Sequence, residues 1–158
     1  MEGRTMPVIE DPMAIEPRRG TIYPDPFKKG YEGRLKRALT GPLGLTQFGV
    51  NVTTLEPGSC SSERHWHARE DECIYILSGE VVLVTDEGER VLKPGMAAGF
   101  AAGNPNGHQF VNRSGAPATF LEIGTRSSDD VATYPDVDMN LVKTANVARI
   151  YHKNGEPY

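Results

Sequence analysis

Only four histidines occur in the 158 residues, and two of them stand as His65-Trp66-His67. In a strand, residues i and i+2 point to the same face about 7 Å apart, so two imidazoles placed this way can share one ion. In isolation such a pair reads as two satisfied or solvent-facing histidines near a turn. This pair is followed by Glu72, in the acidic run Glu70-Asp71-Glu72, directly before the apolar run Ile74–Leu77. Glu72 keeps the parity of Ile74 and Ile76 and so faces inward, where a carboxylate at a strand start closes over the same ion. Glu70 and Asp71 are rivals by residue type, but in an acidic turn they read as solvated charge. His108, at the entry to His108-Gln109-Phe110-Val111-Asn112, supplies a third imidazole. Three neutral nitrogens and one carboxylate suit Zn, Fe, Mn, Ni, Co or Cu and leave room for water or substrate.

The elements that must hold these residues are strands. Leu45–Leu55 mixes Phe48, Val50, Val52 and Leu55 with polar residues and stops at Pro57-Gly58. Ile74–Val84 is apolar apart from a turn at Ser78-Gly79-Glu80. Asp86-Glu87-Gly88 is a hairpin signal, with Gly88 suited to a positive φ. Val91-Leu92 leads to the turn Pro94-Gly95, Met96–Ala102 is small and apolar, and Gly103–Gly107 is a loop. His108–Asn112 and Thr119–Ile123 complete a body over residues 45–125. Short strands with turns every eight to twelve residues indicate an all-β sandwich or barrel. Residues 1–44, interrupted by five prolines from Pro7 to Pro26, read as an irregular arm with one helical turn around Arg34–Leu39. Residues 126–158 read as a short tail with one strand, Val147–Tyr151.

Composition narrows the function classes. The chain is 38% hydrophobic and 24% charged, an ordinary globular balance that fits one domain. Its 17 Lys and Arg against 21 Asp and Glu form no basic face, which argues against a nucleic-acid partner. No run of 18 apolar residues exists to span a membrane as a helix, and the first residues lack the apolar core of a signal peptide, so the expected location is the cytoplasm. Cys60 and Cys73 are expected as free thiols there. Val81-Val82-Leu83-Val84 lacks polar alternation and reads as covered on both faces. That run and the arm both need cover, which a homodimer would supply.

The chain resembles the cupins, and specifically small bacterial single-domain members. Gly58-x6-His65-x-His67-x4-Glu72-x6-Gly79 matches the first cupin motif with one extra residue before His65. Gly95-x5-Ala101-x-Gly103-x4-His108-x3-Asn112 matches the second, with Ala101 in place of its proline and a loop two residues longer before His108. The resemblance implies a double-stranded β-helix, or jelly-roll, barrel, usually dimeric. It also implies His65, His67, Glu72 and His108 as ligands of one divalent transition metal per chain, with Zn, Mn, Fe or Ni foremost. Some look-alikes carry a sugar-phosphate isomerase label.

Other residues read more plainly. Arg64, Arg69 and Arg113 are expected as exposed strand-end charges, and His152 as exposed. Trp66 and Cys73 have the opposite parity to the ligands beside them and should face away from the ion. Tyr75 and Phe110 are expected in the core. Two functions remain open: a metal-dependent enzyme on a small polar substrate, isomerase-like or, with Fe, a dioxygenase, or a metal-assisted small-molecule binding protein without turnover. Fold alone does not choose between them.

Overall fold

A computed structural model describes residues 6–158; residues 1–5 of the expected arm lie outside the described part. The strands are β1 (Arg18–Arg19), β2 (Arg34–Ala38), β3 (Phe48–Leu55), β4 (Trp66–His67), β5 (Glu72–Ser78), β6 (Val81–Thr85) and β7 (Gly88–Leu92). They continue as β8 (Ala97–Phe100), β9 (Gln109–Val111), β10 (Ala118–Thr125), β11 (Asp130–Tyr134), β12 (Met139–Thr144) and β13 (Val147–Tyr151). The one helical element among the described residues is a 3-10 turn at Pro12–Ala14, whose first N–H groups are capped by Asp11. No helix there is long and apolar enough to cross a membrane.

The strands form three antiparallel sheets, in the orders β1-β2-β3-β10-β5-β8, β7-β6-β9 and β13-β12-β11-β4. The first two face each other across the main core of Leu55, Ile74, Ile76, Val81, Leu92, Phe110, Ala118 and Phe120. Phe110 and Phe120 are 2% and 0% exposed, each burial worth roughly 2–3 kcal/mol of transfer free energy. The arrangement is a jelly roll of facing sheets, not a barrel closed by continuous hydrogen bonding.

Register explains how one face carries both core and chemistry. Across the large sheet, Phe120 lies opposite Thr53 and Ile76, Glu122 opposite Asn51 and Ile74, and Gly124 opposite Glu72. Period-2 alternation therefore sets Phe120, Glu122 and Gly124 on the same face as Ile76, Ile74 and Glu72. That face is apolar at one end and ionisable at the other. Its reverse carries Tyr75 and Leu77, which are 42% and 44% exposed, so Tyr75 is not the core residue expected.

Two turns follow the sequence closely. Gly79 adopts φ +70° between β5 and β6, and a Cβ there would lie 2.5 Å from the Pro117 carbonyl oxygen. Gly88, at φ +113°, closes the β6–β7 hairpin opposite Thr85.

The described part of the N-terminal arm and the C-terminal tail hold more regular structure than their composition suggests. Arg34–Ala38 is a strand, not a helical turn: it pairs with β3 along its whole length, from Arg34↔Leu55 to Ala38↔Asn51. Its run of good helix formers is overridden by that pairing and by burial of Leu35. The tail holds three strands instead of one. It packs back through a second core of Tyr23, Tyr31, Ala132, Tyr134 and Met139, which joins the N-terminal segment to the third sheet.

Candidate metal centre

The four candidate ligands come from two strands and one bridge. His65 and His108 form an isolated antiparallel bridge in which His65 N–H donates to the His108 carbonyl at 3.1 Å and His108 N–H to that of His65 at 2.8 Å. His67 ends β4 and Glu72 begins β5. Gly124 sits across from Glu72; a Cβ there would crowd the Asp71 carbonyl oxygen at 3.3 Å and only touch the Glu72 Cγ at 3.7 Å.

The side chains converge. Glu72 Oε2 lies 2.9 Å from His108 Nε2, 3.5 Å from His67 Nε2 and 3.6 Å from His65 Nε2. Two donor atoms about 2.1 Å from one ion, at tetrahedral or octahedral angles, are about 3.0–3.4 Å apart. His65, His67 and Glu72 thus offer donor atoms close enough to one another to share a single ion, whereas His108 meets Glu72 but stands outside that mutual grouping. Glu72 Oε2 is fully shielded and has no hydrogen bond of acceptable geometry, although three nitrogens surround it. The donor set and this orphaned oxygen fit a divalent transition metal.

The outer ring atoms decide which nitrogens are available. His65 Nδ1 lies 2.9 Å from the Glu63 carbonyl oxygen, which can only accept, so Nδ1 carries the proton and Nε2 keeps its lone pair. His67 Nδ1 lies 2.6 Å from Asp130 Oδ2, with the same consequence. Asp130 is 4% exposed and is fixed by accepting from Arg69 N–H at 2.8 Å through its other oxygen. His108 lacks such a partner, since its Nδ1 is buried without a hydrogen bond. Its ring is held by stacking on Phe100, with centroids 3.6 Å apart and planes 12° from parallel.

Electrostatics favour the ligating forms of Glu72 and His108. Burial pushes the Glu72 carboxyl up, but the His108, His65 and His67 rings outweigh it and hold the group well below the usual carboxylate range. Burial pushes His108 down against the opposing pull of Glu72, keeping it neutral at pH 7. For His67 burial acts downward, and Asp130, Glu72 and Glu70 together raise it.

The rival acids lie elsewhere. Asp71 is exposed and accepts from Ala102 N–H at 2.7 Å. Glu70 comes within reach of His67 and Asp130 but is taken up by Lys143 and by Ser127 N–H. Arg64, expected as an exposed strand-end charge, has a side chain only 15% exposed and grips Asp136 through Nε and Nη2, both at 2.8 Å. Arg113 forms an exposed two-pronged pair with Glu89. His152 is half-buried, stacked on Tyr158.

The cluster separates two cavities. The outer one, about 350 Å³, has walls that include Trp66, Glu87, Asn104 and Asn106 beside His67, Glu72 and His108. Trp66 therefore lines a cavity instead of facing away from the site. The longer loop before His108 builds part of this wall, because Asn106 Oδ1 accepts from Asp86 N–H in the β6–β7 hairpin. The inner cavity, about 230 Å³, touches all four candidate ligands and reaches Arg34, Lys36, Glu122 and Tyr134. Reading the sequence alone missed Asp130, Phe100, Arg34 and Glu122. Parity along β10 could have singled out Glu122, since it alternates with the buried Phe120.

Comparisons with known proteins bear on the family and the fold. Residues 51–124 match the Cupin domain family model. A crystal structure from Silicibacter pomeroyi, described as a sugar phosphate isomerase from a cupin superfamily, is 46% identical with a TM-score of 0.89 over 94% of each chain. A structure from Acidithiobacillus ferrooxidans, provisionally given the same activity, is 27% identical with a TM-score of 0.73, over 81% of this chain and 83% of that one. The polyketide cyclase RemF from Streptomyces resistomycificus shares the fold at 23% identity, with a TM-score of 0.58 over 79% of this chain and 80% of its own. No curated protein matches the sequence. With both cupin motifs converging at one end of a jelly roll, the chain belongs to the cupin superfamily.

Proposed function

We propose that this cupin is a metal-dependent enzyme acting on a small polar substrate in the manner of a sugar-phosphate isomerase, with His65, His67, Glu72 and His108 as ligands of one divalent transition metal. The observation that carries this reading is the convergence of three imidazole Nε2 atoms on the Glu72 carboxylate between two cavities. The 46% identical Silicibacter pomeroyi protein described as a sugar phosphate isomerase supports the reaction class.

A bound divalent ion would supply Lewis-acid polarisation of a substrate carbonyl oxygen. The chain's own part is to move a proton from the hydroxyl-bearing carbon to the carbonyl carbon while the hydroxyl proton passes to the carbonyl oxygen, so the two carbons exchange oxidation level with no external oxidant. Glu122 is the carboxylate placed for this, because it faces the inner cavity beside the four ligands. Burial pushes it up, but Lys36 and Arg34 hold it below its ordinary value, so it is ionised and able to accept a proton at neutral pH. Phe100 and Asp130 hold His108 and His67 in place.

The reading extends to a homodimer in a reducing compartment such as the cytoplasm. Exposed Tyr75 and Leu77 offer an apolar surface to a second copy, and Cys60 and Cys73 are free.

The test is proton exchange in heavy water. Metal-loaded protein should incorporate deuterium beside the carbonyl of a phosphorylated aldose or ketose, followed by NMR. A His65→Ala/His67→Ala double variant should not, and Glu122→Gln should slow exchange by about 10²-fold or more. Metal-dependent binding of such sugars without exchange would instead establish a binding protein without turnover.

A further inference from the structure

The inner cavity has one strongly basic wall. Arg18 on β1 pairs with Lys36 on β2, and Arg34 lies two residues before Lys36, on the same face of that strand. All three line the cavity that touches the candidate metal ligands. The acidic groups facing it are Glu72, within the imidazole cluster, and Glu122 on β10.

These cations are not equally occupied. Lys36 Nζ lies 2.7 Å from Glu122 Oε2, which also accepts from the Thr53 hydroxyl at 2.9 Å. Arg34 is only 9% exposed. Its Nη1 donates to the Gly20 carbonyl at 2.9 Å, while its Nε is shielded from solvent with no hydrogen-bond partner. A buried guanidinium donor without an acceptor is costly, and its fork geometry matches an oxyanion. Arg18 lines the same cavity from an exposed strand position.

We propose that Arg34 and Arg18 bind the phosphoryl group of a phosphorylated substrate in the inner cavity. With Lys36 paired to Glu122 and Glu72 held within the imidazole cluster, the two arginines remain, and their charge matches a dianion better than a monoanionic carboxylate. About 230 Å³ accommodates a phosphoryl group with a short carbon chain. The remainder of the substrate then reaches the imidazole cluster from within the cavity. This last step rests on the metal-dependent reading above, whereas the anion site rests on the arginines themselves.

The test titrates inorganic phosphate and glycerol 3-phosphate, with lactate as the carboxylate comparison, into the full chain by calorimetry. It uses metal-stripped and metal-loaded protein, with Arg34→Gln and Arg18→Gln variants and metal content measured in each. Glycerol 3-phosphate should bind more tightly than lactate. Each variant should weaken phosphate binding about tenfold or more without changing metal content, and should do so in stripped protein as well. Should Arg34→Gln fail to fold, the exposed Arg18→Gln decides. Equal phosphate affinity in the parent and the folded variants would overturn the site, as would lactate binding as tightly as glycerol 3-phosphate. Arginine-dependent phosphate binding in a parent that holds no metal would keep the anion site and remove the metal-dependent reading. Phosphate binding that needs metal and ignores the arginines would do the reverse.

Discussion

His67 Nδ1 lies 2.6 Å from the carboxylate of Asp130, a residue 63 positions further along the chain and almost fully buried. The contact exists because β11 pairs with β4, bringing Ala132 opposite His67. It ties the C-terminal sheet to the candidate metal centre and selects the His67 tautomer whose Nε2 faces Glu72.

Asp130→Asn keeps an oxygen to accept from Arg69 N–H but removes the charge that orients the ring. The expected result is a 10–100-fold loss of metal affinity, read by competition with a chelator. The metal-free variant should melt close to the parent. Unchanged affinity would reduce Asp130 to a structural acid.

The Lys36–Glu122 pair predicts a defined acid response. Burial raises the Glu122 carboxyl, but Lys36 and Arg34 outweigh it, so its folded value lies below the ordinary 4.5. The unfolded chain therefore takes up this proton at higher pH than the folded chain does. The pair's contribution is complete above the unfolded value and is lost as pH falls through the folded one. Lys36→Gln should cost about 2–4 kcal/mol at pH 7, a deficit that shrinks as pH falls through the folded Glu122 value. Thermal melts from pH 7 to pH 3 should show curves separated at pH 7 and converging toward pH 3; curves superimposed at pH 7, or a gap unchanged at pH 3, would contradict it.

Gly79→Ala tests the turn that separates β5 from β6. The new Cβ would meet the Pro117 carbonyl and the Ala118 Cα at 2.5 and 2.7 Å, in a left-handed backbone that already disfavours a side chain. Roughly 2 kcal/mol or more of stability should be lost in a denaturant titration. Gly88→Ala is the comparison: its added Cβ meets nothing within 4 Å, so it should cost less.

How far the site could be read from the sequence depended on whether a signal was local. His65, His67 and Glu72 were legible because parity along a strand and one short turn suffice to bring them together. His108 needed only a strand entry and the motif spacing. Arg34–Ala38 was misread because Arg-Leu-Lys-Arg-Ala-Leu is helix-forming locally, and only its pairing with β3 makes it a strand. In β11 the inward positions are Asp130, Ala132 and Tyr134, so the alternation begins on a charged residue that looks solvent-facing until His67 is placed beside it. The stacking of Phe100 on His108 depends on the pairing of β8 with β5, which no local pattern reveals.

The most direct test of the metal centre is elemental analysis of the purified protein beside a His65→Ala/His67→Ala double variant, both verified as folded by circular dichroism. The expected result is about one divalent transition metal per parent chain and close to none in the variant. A parent without metal even after reconstitution, or equal metal in both proteins, would contradict the assignment of His65, His67, Glu72 and His108 as its ligands.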